Sequence, residues 1–221
     1  MCGDALYIFI KNFSKPFTFF DKYVIINLYY YSIIFIERKN GMANSILITG
    51  GAASGKSRFA VSHFHSCDYV LYLKAGSDLD NDIRQRIDFE TEKQGVQWDI
   101  MRFDAKNPAE LVGDHKFVIF DSLSSFTAIV MNEICGAEEI TDAMKKDVEK
   151  AVIERIQELR GKVEDNFGSL IIITLETGFS PAPVDKHIAA FREILGRVNQ
   201  RIANTSDEVY FSASGIQFKI K

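Results

Sequence analysis

From Ser45 onward, short apolar runs alternate with segments whose apolar residues recur every three or four positions, a pattern that predicts an α/β fold with a mostly parallel sheet. SILIT (45–49) reads as a buried strand, with a helix from 56 to about 66 after it. DYVLYL (68–73) is a second strand, followed by a helix through DIRQRIDFETEKQ, and WDIMRF (98–103) and KFVIFD (116–121) are two more. From Thr141 the spacing of Met144, Val148, Val152, Ile156 and Leu159 predicts an amphipathic helix that Gly161 is placed to end. LIIIT (170–174) is a fully buried strand. After a loop holding Pro181 and Pro183, a helix carries Ile188, Phe191, Ile194, Val198 and Ile202 on one face, and EVYFSASGIQFKI closes as a hairpin turning at Ser214 and Gly215.

Composition changes this picture only at the amino end. The first 42 residues hold six of the 18 Phe and five of the 8 Tyr, which marks a boundary and divides the chain into an extension, 1–42, and one domain, 43–221. The run YVIINLYYYSIIFI (23–36) is shorter than the roughly 20 residues a spanning helix needs, and the segment lacks the small-residue cleavage site of a signal peptide. Three readings stand: an appended β-rich or membrane-surface segment, an anchor, or upstream sequence read in frame with the start at Met42. The last is preferred, because Met42 lies just before the strand that opens the domain. A net charge of -4 supplies no basic field for nucleic acid or acidic lipid. Cys2, Cys67 and Cys135 are too few and too scattered for a disulfide framework, which points to a reducing compartment.

The chemistry begins at ITGGAASGKSRFA (48–60). Gly50, Gly51, Ala52, Ala53, Ser54, Gly55, Lys56 and Ser57 fit G-x-x-x-x-G-K-[ST] between an apolar strand and a helix. Glycines let backbone N–H groups turn inward around phosphate oxygens, and the helix N-terminus adds its dipole. Lys56 is expected on the β- and γ-phosphates and the Ser57 hydroxyl on Mg²⁺; Asp121, ending KFVIFD on a neighbouring strand, is expected to hold the metal shell. Asp121 is also placed to cap a helix starting near Ser122.

A phosphate loop alone leaves many phosphotransferases open, and the rest of the chain narrows them. GGAASGKSRFA resembles the GGxRSGKSRxA opening of the adenosylcobinamide kinase / adenosylcobinamide-phosphate guanylyltransferase family, and GRVNQRIANTSDEVYFSASGIQFKIK its GRVNQxxAxxADEVxxxxSGIxxxIK ending. LYLKAGSDLDNDIRQRI matches LYIATSxxxDxEMxxRI, and TLETGFSPAPVDKHIAAFREILGRVNQ matches TNEVGxGIVPxxxxxRxFRDxxGRVNQ. The resemblance implies a RecA-like P-loop domain and a trimeric cytoplasmic enzyme. Such an enzyme phosphorylates the adenosylcobinamide hydroxyl from ATP or GTP, then transfers GMP from GTP onto that phosphate. It also implies nucleotide or substrate contacts by Glu176, Arg197, Asn199 and Arg201; Arg197 and Arg201, four apart, share a helix edge that could equally be solvated.

The family carries GMP on a histidine in an RIxxH pattern. Here Arg86 and Ile87 are followed by Asp88 and Phe89, so Phe89 stands at that position and cannot be a nucleophile. Glu90 is a poor substitute, since an acyl phosphate is easily lost to water. His63 and His65 with Cys67 read as solvated or core residues, and His187 is the one histidine expected near the nucleotide. Ala53, Leu175 and the pair Ala75 and Gly76 replace polar residues of the family pattern. The expectation is a Mg²⁺-dependent kinase whose guanylyl half is lost, weakened or rebuilt. The alternative is a nucleotide-binding homologue without turnover, acting as a sensor or assembly partner.

Overall fold

The computed structural model describes residues 45–221 apart from 105–106, 137–138, 180 and 182; the readings of 1–42 fall outside the described residues. The element order is β1 (Ser45–Gly50), α1 (Lys56–His63), β2 (Val70–Ala75), α2 (Asn81–Gln94), β3 (Trp98–Phe103), a 3-10 turn (Pro108–Leu111), β4 (Phe117–Asp121), α3 (Leu123–Cys135), α4 (Asp142–Asp165), β5 (Ser169–Ile173), α5 (Lys186–Thr205), β6 (Glu208–Ala213) and β7 (Ile216–Lys219). The strands form one sheet in the order β3-β2-β4-β5-β1-β6-β7. Every pairing is parallel except the β6–β7 hairpin.

Strands β1 and β5 are buried along their whole length, as continuous apolar runs covered on both faces must be. Two apolar layers result. One holds Ile46, Ile48, Tyr72, Ile119 and Ile173 under α1 and α2; the other packs Leu47, Leu73, Phe120 and Ile172 against α3, α4 and α5. Alternation along each strand decides which layer a residue joins, so Tyr72 and Lys74 share a face with Asp121, the face that α1 covers.

Four expectations are corrected. Helix α1 stops at His63, and β2 starts at Val70 rather than Asp68, whose carboxylate instead accepts the N–H groups of Tyr69 and Gln97. Helix α4 runs through Gly161 to Asp165, because Val163 continues the buried stripe and outweighs the roughly 1 kcal/mol a mid-helix glycine costs. The glycine that the connection to β5 requires is Gly168, where a Cβ would stand 1.8 Å from the Lys116 carbonyl. Ile188 lies outside the buried face of α5, at 56% exposure.

Candidate active site

Helix α1 differs from the other four α-helices among the described residues in how it starts. Asp80, Ser122, Thr141 and Asp185 cap α2, α3, α4 and α5 through their side chains. Gly55, in a left-handed conformation, opens α1 with no side-chain cap. The first N–H groups of α1 therefore lack the partner that Ser, Thr, Asp or Asn gives elsewhere, and an anion is the natural substitute.

The preceding loop is fixed from behind by the closing hairpin. The Ser54 carbonyl accepts the Ser212 hydroxyl at 2.6 Å and the Gly215 N–H at 2.9 Å, and the Gly50 carbonyl accepts the Glu176 N–H at 3.0 Å. Gly50 has no room for a side chain, since a Cβ would meet the Ser212 carbonyl at 2.3 Å. Ser212 and Gly215 of the closing hairpin thus support the phosphate loop, which their distance in sequence conceals.

Lys56 folds back over the loop, donating to the Gly50 carbonyl at 3.1 Å, the Gly51 carbonyl at 2.5 Å and the Ser54 hydroxyl at 3.3 Å. Burial pulls its ammonium below the ordinary value, and the Asp121 charge offsets part of that. Asp121 is 5% exposed at the end of β4. Three donors converge on its Oδ2: the Tyr72 hydroxyl at 2.5 Å, the Lys74 ammonium at 3.2 Å and the Ser57 hydroxyl at 3.3 Å. Burial, then the Asp121 charge, pushes the Tyr72 hydroxyl well above its usual range, so it acts as a fixed donor. Asp121 belongs not to the strand beside β1 but to the next one, with β5 between, and it does not cap α3. Ser122 does, accepting the Ser125 N–H. Its carboxylate is thereby left to the site. The Ser57 and Asp121 oxygens are hard donors side by side at a helix N-terminus, a set that suits Mg²⁺.

The remaining site residues separate. Glu176, Arg197 and Asn199 line a cleft of about 750 Å³ with Thr49, whose buried hydroxyl has no hydrogen-bond partner among the described residues. Asn199 is committed to structure, accepting the Thr174 hydroxyl at 2.7 Å and donating to the Leu175 carbonyl at 3.0 Å. Glu176 accepts the Gly178 N–H at 2.7 Å. Arg201 bonds Glu149 of α4 at 2.8 Å, and Arg197 pairs with Glu149 and Glu193, so the shared helix edge is an intrachain ion network.

Phe89 is 61% exposed on α2, with the Lys93 ammonium 5.9 Å from its ring centroid. His63 packs edge-on to Phe59 and Phe64, and His65 bonds the Ser62 carbonyl; among the described residues no three or more His, Cys, Asp or Glu side chains cluster as metal ligands. His187 lines a cleft with Lys186 and Glu193 and another with Met131 and Phe191. Tyr72, Lys74 and Ser212 escaped sequence reasoning. The one signal was a lysine at the end of an apolar strand.

The model of the family described as cobinamide kinase / cobinamide phosphate guanyltransferase matches residues 46–220. The chain belongs to that family. It is 32% identical over 183 residues to the bifunctional adenosylcobalamin biosynthesis protein CobU of Salmonella typhimurium, covering 80% of this chain and 99% of that one. The protein of the same name from Escherichia coli is 28% identical over 180 residues, with 80% and 99% covered. The family places the chain among the nucleotide-binding P-loop transferases of cobalamin biosynthesis. Its departures from the pattern now have positions: Ala53 sits in the phosphate loop at a positive φ of 55°, and Ala75 and Gly76 follow Lys74 where β2 leaves the sheet.

Proposed function

We propose that the chain transfers the γ-phosphoryl group of ATP or GTP to the hydroxyl of adenosylcobinamide, and that position 89 carries no guanylyl transfer. One observation carries the reading: the uncapped start of α1, the Lys56 ammonium and the paired Ser57 and Asp121 oxygens meet at the carboxyl edge of the sheet. In this reading the N–H groups of the loop hold the phosphates, and Lys56 leaves the loop carbonyls for the β- and γ-oxygens. Ser57 and Asp121 would hold Mg²⁺, which when bound supplies charge neutralisation across those oxygens. Asp121, locked by Tyr72, keeps its orientation throughout.

The companion proposals are a cytoplasmic homo-oligomer, a trimer in keeping with the family resemblance. Ile216 and Phe218 on the edge strand β7, with Ile220 beyond it, are exposed apolar residues that suit self-association. No helix among the described residues is long and apolar enough to cross a membrane. The test uses the full chain with Mg²⁺, adenosylcobinamide and GTP, following the corrinoid products by mass spectrometry. Corrinoid phosphate alone is the expected product. Nucleotide binding with no corrinoid phosphate would end the kinase reading, and a GDP-linked corrinoid would end the claim about position 89.

A further inference from the structure

The proposed site contains a second lysine that the loop motif does not account for. Lys74, the penultimate residue of β2, stands in register with Asp121, is 16% exposed at its side chain, and has Asp121 as its ion-pair partner. Because the Ser57 hydroxyl and the Lys74 ammonium approach the same carboxylate oxygen at 3.3 and 3.2 Å, the two are close neighbours at the first turn of α1. Asp121 does not need Lys74 to satisfy its hydrogen bonding, since Tyr72 and Ser57 already donate to that oxygen. Among the described residues, Lys56 is bonded to the Gly50 and Gly51 carbonyls and the Ser54 hydroxyl. Lys56 and Lys74 thus place two partly buried ammonium groups around Asp121, with the Asp80 charge also acting on the cluster through Tyr72, and an anion entering the loop would meet both.

We infer that Lys74 is a γ-phosphate contact: with a nucleoside triphosphate in the loop, its ammonium turns from Asp121 to the terminal phosphate. This deepens the nucleotide reading above and rests on it. Lys56 reaches the phosphates from the loop; Lys74 reaches only the last of them, from the sheet side.

The test compares GTP with GDP, and ATP with ADP, in binding titrations with Mg²⁺ on the full-length wild type, Lys74→Met and Lys74→Arg. Loss of one charge-assisted contact predicts triphosphate affinity lower by about tenfold or more in Lys74→Met. Diphosphate affinity should stay within about twofold, and Lys74→Arg should recover most of the loss. Equal weakening of both nucleotides, or of neither, overturns the inference. Amine labelling of the wild-type chain, mapped by peptide mass spectrometry, needs no variant: GTP should protect Lys74 and GDP should not, and equal protection would refute it. A wild type that discriminates triphosphate through Lys74 yet makes no corrinoid phosphate would sink the kinase reading and leave this inference standing.

Discussion

The phosphate loop and the exposed face of α2 are the two places where the family's two reactions are expected, and they are built differently. At the loop, backbone and side chains are constrained from several directions: the hairpin holds the Ser54 carbonyl, Glu176 holds the Gly50 carbonyl, and three donors fix Asp121. Helix α2 is conventionally capped by Asp80, and Phe89 faces solvent beneath a lysine. A phosphoryl-transfer site needs such preorganisation, because its catalysis is mostly positioning and electrostatics. A covalent carrier needs a nucleophile, and a phenyl ring supplies none. The difference teaches that the phosphate loop and the exposed face of α2 rest on separate structural supports, which in the proposed reading lets the kinase half stand without the guanylyl half.

The largest expected effect tests the first half. Lys56→Ala should lower corrinoid phosphorylation by about 100-fold or more, whereas Phe89→Ala should leave it within about twofold, both measured as initial rates. Comparable losses in the two variants would erase the distinction. Next, intact-mass spectrometry after incubation with GTP and Mg²⁺ should find no GMP adduct on the wild-type chain and an adduct on Phe89→His. A wild-type adduct would show that another residue carries the nucleotide.

Smaller effects probe the support itself. Gly50→Ala should destabilise the fold by about 1–3 kcal/mol, because its Cβ would collide with the Ser212 carbonyl. Gly161→Ala, with nothing within 4 Å, should stabilise by about 0.5–1 kcal/mol. Thermal melts of the two variants check both signs. The smallest effect concerns His63 on α1. Burial holds its imidazole below the ordinary 6.5, against the opposing Glu208 charge, so the unfolded chain binds a proton first as pH falls. Stability should therefore drop as pH falls from 6.5 toward the folded value, and the drop should be shallower in His63→Gln.

Periodicity made most elements legible, because buried strands and amphipathic helices write their burial into consecutive residues. It failed at Gly161, where local helix-ending chemistry yielded to a longer buried stripe, and at Asp68, where a polar residue serves the turn before β2. The phosphate loop, Ser57 and Asp121 were readable for the same reason: motif and strand end are local. The resemblance implies a contact by Asn199, and the structure adds that its carboxamide accepts the Thr174 hydroxyl and donates to the Leu175 carbonyl.

By itself the sequence determined the α/β class, the family, the phosphate-loop motif and the presence of Phe at position 89, all of which depend on residue identity within short stretches. Only the tertiary structure decided that Ser212 and Gly215 support a loop some 160 positions away, as the 158-residue separation of the Ser212 to Ser54 bond illustrates. Likewise it decided that Tyr72 and Lys74 share a carboxylate oxygen with Ser57 and that Arg197 and Arg201 are engaged by carboxylates of their own chain. Strand order and register bring those groups together, and neither is written in any local pattern of polar and apolar residues.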